Sequence, residues 1–238
     1  SEPMIIEEMF EGQMRKMIVQ ISRNGHVYAL DRFNGEFLYA GEYTKVNWAE
    51  RDESGKPVLK ESLYEPADTV VFPGLYGGKN WPPASYSPDT NMLYIPTTEW
   101  GTTFIRREGD GRPGTMDLGG IPRFEPTGTG YVVAFNMRTG DIDWQVEMPG
   151  NFNWAGTLAT GGGLVFSGAP DGYIYAMNDE TGEILWKFQT GSGLYAPPTS
   201  FTIDGKQYIG IASGTRDPVT REGVATGISP GNYILFSL

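Results

Sequence analysis

Side chains able to carry redox or hydrolytic chemistry are sparse in this sequence of 238 residues. It has no cysteine and one histidine, so neither a disulfide framework nor a thiolate metal site can be built from it. That histidine, His26, lies in a strand-like run with no second His or Cys beside it, and reads as a strand residue rather than a metal ligand. Glu108-Gly109-Asp110-Gly111 lacks the alternating acids of a calcium loop and reads as a solvated turn. Gly128-Thr129-Gly130 runs into Tyr131-Val132-Val133-Ala134 without a third glycine, so it is no dinucleotide fingerprint. No motif-embedded pair of carboxylates suggests glycoside hydrolysis. What remains is a set of planar groups. Asn80 beside Trp81 puts an amide next to an indole, which suits a flat ligand with polar edges. Trp154 is a second large ring, and Arg23 is a fixed, multi-donor cation. Each also has an ordinary reading: Arg23 as a residue on a surface turn, Trp81 and Trp154 as core plugs.

The elements that must position these groups show up as a repeat. Gly172-Tyr173-Ile174-Tyr175-Ala176-Met177-Asn178 is followed by Thr181-Gly182-Glu183 and Trp186. Gly130-Tyr131-Val132-Val133-Ala134-Phe135-Asn136 is followed by Thr139-Gly140-Asp141 and Trp144. A looser copy, Gly25-His26-Val27-Tyr28-Ala29-Leu30-Asp31, leads to Asn34-Gly35-Glu36, with Tyr39 in the place of the Trp. Each is a hairpin in which β-branched and aromatic residues alternate and Thr-Gly or Asn-Gly supplies the turn. Ala134 and Ala176 are 42 residues apart, the period of a four-stranded propeller blade. The 105 residues from Ala29 to Ala134 leave room for a further blade near Asn91-Met92-Leu93-Tyr94-Ile95-Pro96 and a long insertion. That insertion, residues 99–127, is glycine-rich and loop-like, either a lid over the propeller's mouth or a plain surface excursion. About four blades fit. An open arc of blades would leave strand edges and core faces uncovered at both ends, so a further part of the propeller is expected.

Composition agrees with many short strands. Glycine and proline number 33 and 17, yet aromatics make up 13% of the chain, so punctuation is dense and the core is well supplied. A net charge of −11 argues against a nucleic-acid partner, since such binding relies on Lys and Arg to neutralise phosphates. No apolar run is long enough for a membrane-spanning helix. The first residues, Ser1 to Glu8, lack the blocks of a signal peptide and enter a strand pattern at once, as a cut inside a domain would.

At these repeats the sequence resembles the pyrroloquinoline quinone (PQQ) dehydrogenases, whose eight blades carry an Ala-x-Asp/Asn-x-x-Thr-Gly-x-x-x-Trp docking motif. The likeness runs from Met4 to Leu238 and includes two more specific stretches, Gly77-Gly78-Lys79-Asn80-Trp81-Pro82-Pro83-Ala84-Ser85-Tyr86-Ser87-Pro88 and Trp154-Ala155-Gly156-Thr157-Leu158-Ala159-Thr160-Gly161-Gly162-Gly163-Leu164-Val165-Phe166-Ser167-Gly168. It implies an all-β propeller, with residues 1–238 as the C-terminal half of one domain. By resemblance, Arg23 corresponds to the arginine that bonds the reactive quinone oxygen, Asn80 and Trp81 to the pair that hydrogen-bonds and lines the quinone, and Trp154 to the tryptophan forming the floor under the ring. Thr215-Arg216-Asp217-Pro218 departs from the pattern, where the family commonly places Gly or Trp.

The resemblance further implies oxidation of an alcohol to an aldehyde or ketone by hydride transfer to PQQ, in a periplasmic enzyme. The family's catalytic aspartate falls just upstream of Met4, and its Ca²⁺ or lanthanide ligands earlier still, so no catalytic residue and no metal ligand is assigned to this chain. They are expected in an N-terminal partner half. With no Cys-x-x-Cys-His after Asn232, electrons are expected to pass to a separate cytochrome c-type acceptor. The competing expectation is a non-catalytic propeller scaffold resembling outer-membrane assembly lipoproteins. The Asn80-Trp81 and Trp154 stretches discriminate, because a scaffold has no need of amide and indole groups around a cavity.

Overall fold

A computed structural model describes residues 2–10, 12–60, 69–106, 120–214 and 231–237. Every regular element among them is a strand, and none is a helix long and apolar enough to cross a membrane. The first sheet is a four-stranded meander of β1 (Pro3–Phe10), β2 (Gln13–Ile21), β3 (His26–Asp31) and β4 (Phe37–Glu42). A small ribbon follows, β5 (Ala49–Arg51) with β6 (Pro57–Leu59), and then a short strand, β7 (Val70–Val71). The second blade begins with β8 (Ser85–Ser87) and β9 (Met92–Glu99), is interrupted by β10 (Thr102–Arg106) and β11 (Gly120–Phe124), and resumes with β12 (Thr129–Asn136) and β13 (Ile142–Met148). A third blade holds β14 (Thr157–Thr160), β15 (Leu164–Gly168), β16 (Tyr173–Asn178) and β17 (Ile184–Gln189). The last sheet is β18 (Thr199–Ile203), β19 (Lys206–Ser213) and β20 (Asn232–Ser237). All ladders are antiparallel.

Among the described residues, four blade-like sheets match the expected number, but one of them is not where the sequence placed it. The Asn91–Pro96 strand is not a separate blade. β9 pairs with β12 along its whole length, from Met92 opposite Asn136 to Glu99 opposite Thr129, so both lie in one sheet. The fourth sheet is the C-terminal one. The segment expected as a loop at 99–127 has strands at both ends: Thr102–Arg106 pairs with Phe124–Gly120, and Thr102 and Thr103 pair with Val71 and Val70. Residues 107–119, and with them Glu108-Gly109-Asp110-Gly111 and most of the candidate lid, lie outside the described residues, as do Thr215-Arg216-Asp217-Pro218.

Three apolar clusters hold successive blades face to face. Met17, Val19 and Ile21 alternate along β2 and meet Leu93, Ile95, Val133 and Phe135 of the second blade. Val132, Ala134 and Met148 meet Val165, Tyr175 and Met177 of the third, and Ile174 and Ala176 meet Ile209 and Ile211 of the fourth. Burial on both faces explains why β12 and β16 carry near-continuous apolar runs rather than strict alternation.

The repeated hairpin is the device that registers one blade on the next. Ala29, Ala134 and Ala176 lie opposite Tyr39, Trp144 and Trp186, each with an irregularity in register directly after the alanine. In the turns, Oδ1 of Asp31, Asn136 and Asn178 accepts the backbone N–H groups two and three residues on, which shapes the chain before the glycine. Trp144 Nε1 then donates to the Asp179 carbonyl of the third blade at 3.0 Å. Tyr39, standing for Trp, donates through its hydroxyl to the Met137 carbonyl of the second blade at 3.1 Å. Met137 and Asp179 follow the turn Asn in both copies, so the two aromatics use the same acceptor.

The first two blades share a further tie. The buried Glu8 carboxylate accepts Arg138 Nε at 3.1 Å and the Tyr86 hydroxyl at 3.2 Å. Asn91 joins it, its amide nitrogen toward Glu8 and its oxygen toward the Arg138 guanidinium.

Candidate functional site

Arg23, Asn80, Trp81 and Trp154 come from three different blades, and the loop from Gly74 to Ala84 links them. Arg23 is exposed in the β2–β3 turn, where the Trp48 indole holds the neighbouring Asn24 carbonyl at 2.8 Å. Its Nη2 donates to the Leu75 carbonyl at 2.7 Å, and its own carbonyl accepts Gly78 N at 2.9 Å. The approach is so close that a Cβ on Gly77, where φ is +76°, would sit 2.9 Å from Arg23 Cβ, which only glycine tolerates. The loop's other side is pinned by Thr98 N on the Gly78 carbonyl at 2.7 Å and Leu75 N on Thr102 Oγ1 at 3.0 Å.

Within the loop, Asn80 folds back on it: Nδ2 donates to the Tyr76 carbonyl at 3.0 Å, and Oδ1 accepts Trp81 N at 2.9 Å. Trp81 stands out from this turn with 54% of its surface exposed. Its ring meets Trp154 edge-on, centroids 6.3 Å apart at 61°. The two tryptophans meet where Thr157 N, at the start of β14, donates to the Pro83 carbonyl, just ahead of β8, at 3.0 Å. Trp154 is backed by Tyr76 at 5.6 Å and Phe152 at 4.9 Å, in an aromatic cluster with Trp100, Phe124 and Tyr195. Phe124 belongs to β11 and stacks on Tyr76 at 5.0 Å, so the base of the insertion builds part of the wall behind Trp154.

Sequence reasoning overlooked four residues here. Asn153 is buried; its Nδ2 donates to the Tyr131 carbonyl, its Oδ1 accepts Ala155 N and its own N–H donates to Thr98 Oγ1, which fixes the backbone on both sides of Trp154. Asn-Trp occurs at 47–48, 80–81 and 153–154, so the dipeptide alone did not single out Asn153. Tyr76 was overlooked because its ring contact with Trp154 needs two loops from different blades to meet. Lys79 and Glu2 were also overlooked: the lysine's side chain is fully buried, and its Nζ lies 3.3 Å from Glu2 Oε1. Burial pulls the Lys79 ammonium's pKa down, and the Glu2 carboxylate pulls it back up.

His26 sits on β3 as read, its ring buried edge-on against Trp48. Neither ring nitrogen has a hydrogen-bond partner, and Glu42 Oε1 at 3.8 Å is too distant to serve as one. Burial first, then the nearby Arg51 charge, brings its pKa down to about 4, so the ring is neutral at neutral pH. Among the described residues, no three of His, Cys, Asp and Glu come together in a way that could hold a metal ion.

The residues fit a planar ligand with polar edges. A half-exposed indole, a second indole at its edge and an amide lie together, and a guanidinium with donors beyond the one given to Leu75 is bonded to the same loop.

Residues 115–209 match the family model described as glucose/ethanol/alcohol dehydrogenase, beta-propeller domain. The quinoprotein ethanol dehydrogenase of Pseudomonas putida is 37% identical over 86% of this chain, and the chain spans 35% of that relative. The solved quinohemoprotein alcohol dehydrogenase ADHIIG of Pseudomonas putida HK5 superposes with a TM-score of 0.83 at 28% identity, covering 90% of this chain and 34% of its own. A europium-containing methanol dehydrogenase superposes with a TM-score of 0.79 at 28% identity, covering 90% of this chain and 39% of its own. The 238 residues thus correspond to about a third of the length of these proteins. Repeats, blade packing and relatives together make this chain similar to a stretch of the β-propeller of the PQQ-dependent alcohol dehydrogenases.

Proposed function

We propose that the chain forms the cofactor-facing part of a quinoprotein that oxidises an alcohol to an aldehyde or ketone. The observation that carries this reading is the convergence of Trp81, Trp154, Asn80 and Arg23 on one loop. When bound, PQQ supplies the hydride acceptor. Trp81 and Trp154 offer planar apolar surface for a ring system and exclude water from it. Asn80 accepts the Trp81 backbone N–H through Oδ1 and donates to the Tyr76 carbonyl through Nδ2, which fixes the turn from which Trp81 projects. Arg23, anchored by Leu75, would offer its remaining N–H donors to a polar edge of the bound quinone, and a fixed cationic donor of this kind would stabilise negative charge there.

The group that accepts the alcohol's proton, and the ligands of the Ca²⁺ or lanthanide ion, belong in this reading to sequence beyond these 238 residues. The complete enzyme works in the periplasm and passes electrons to a cytochrome c-type acceptor. A propeller scaffold is not favoured, because the relatives are dehydrogenases.

Full-length protein carrying this stretch, purified without cofactor and then supplied with PQQ and Ca²⁺, tests the reading. It should gain alcohol-dependent reduction of an artificial electron acceptor. Arg23→Ala should lower kcat/KM by roughly 100-fold while leaving the thermal midpoint close to wild type. A protein that folds, binds no PQQ and reduces no acceptor would sink the proposal.

A further inference from the structure

The loop that carries Asn80 and Trp81 has little secondary structure of its own. Pro82 and Pro83 provide no N–H, and the Pro83 carbonyl is taken by Thr157 of the next blade. Both feet of the loop instead meet one atom at the start of the chain. Glu2 Oε1 lies 3.3 Å from Lys79 Nζ and accepts Ala84 N at 3.3 Å. Lys79 Nζ also reaches the Asn80 carbonyl at 3.4 Å. The lysine's side chain is fully buried, and Glu2 is 43% exposed.

An apolar side chain of similar length would fill the same space without desolvating an ammonium, and buried pairs often contribute little net stability. What the pair adds is direction. One carboxylate oxygen meets residues 79 and 84, which ties the four residues between them to the segment leading into β1. We propose that Glu2 and Lys79 are positioning residues, whose ion pair sets where the Asn80 amide and the Trp81 indole stand to receive a planar, anionic quinone. This rests on the reading of the site given above.

Two measurements on the full-length protein test it, one of which needs no cofactor. The first is the Kd of PQQ, by quenching of tryptophan emission, for wild type, Glu2→Gln, Lys79→Met and the double variant. The second is acrylamide quenching of Trp81, taken as the difference between each protein and its Trp81→Phe counterpart without cofactor. Each single variant should weaken PQQ binding about tenfold, the effect expected for supporting residues around a site, and should raise the accessibility of Trp81. The double variant should be no worse than the singles, because both act through one pair.

Unchanged Kd and unchanged Trp81 quenching, with only a lower thermal midpoint, would overturn the positioning role and leave the functional reading intact. If wild type fails to bind PQQ, the functional reading falls and the clamp on Trp81 is judged by acrylamide quenching alone. If Lys79→Met does not fold, Glu2→Gln on the half-exposed partner decides.

Discussion

Arg23 and Asn80 each hydrogen-bond the loop that carries Trp81, through the Leu75 and Tyr76 carbonyls, so in the proposed reading substitutions there combine loss of a ligand contact with a local change in the loop that leaves global stability near wild type. Trp81 differs in having its ring mostly out in solvent. Trp81→Ala should therefore change stability by less than about 0.5 kcal/mol, as surface changes do, yet weaken PQQ binding by at least tenfold in a titration. Equal losses in both would make Trp81 a packing residue. His26 belongs to the same scale. Its folded pKa of about 4 lies below the ordinary 6.5, so between those values the unfolded chain binds the extra proton. Its contribution is complete above pH 6.5 and is lost as pH falls toward 4, amounting to about 3 kcal/mol at most. The buried ring faces Glu42 and Arg51, and neither gives it a hydrogen bond. Denaturant midpoints at pH 7 and pH 4.5 should therefore diverge more for wild type than for His26→Leu. Parallel pH dependences would refute the assignment.

At the scale of the element, the docking hairpin ties sequence to packing most directly. Gly140 and Gly182 occupy equivalent turn positions with φ near +77° and +75°. Substitution by alanine costs about 1–2 kcal/mol at either for the left-handed backbone. Their surroundings differ. A Cβ at Gly182 would stand 2.7 Å from Trp144 Cε3, whereas one at Gly140 would stand 3.8 Å from Tyr39. Gly182→Ala should thus be the more damaging by about 1–3 kcal/mol, the usual cost of overpacking, as read from denaturant midpoints. The reverse order would mean that the aromatic does not seat on the glycine. The open space at Gly140 follows from the smaller ring at position 39, which reaches the shared carbonyl with a hydroxyl instead of an indole N–H.

For the whole molecule, the outer faces of the first and last sheets decide behaviour. Ile5 and Met14 are 67% and 62% exposed at one end, and Tyr233 and Leu235 are 59% and 51% exposed at the other. Apolar faces of this kind in a propeller are built to be covered by neighbouring blades. Ile5→Lys should accordingly cost about 2 kcal/mol or more in the full-length protein, where the face is packed, and under about 0.5 kcal/mol in the isolated 238-residue chain, where it is bare. Equal costs in the two contexts would show that no blade packs on this face.

The sequence by itself determined the hairpin: the Ala-to-aromatic spacing, the Asn or Asp before the turn and the Thr-Gly or Asn-Gly in it are local, and local residues suffice to close a bulged two-stranded unit. The all-β class, the number of blade-like sheets and the Asn80-Trp81 dipeptide were legible for the same reason. The assignment of strands to blades was not. β9 and β12 are separated by the insertion, and an apolar strand carries no local mark of the partner it will find so far along the chain. Nor did any sequence pattern pair Trp81 with Trp154, or bury Lys79 against Glu2. Those contacts join residues from different blades, and only the packing of one sheet face on the next, with the backbone bond between Thr157 and Pro83, brings them within reach.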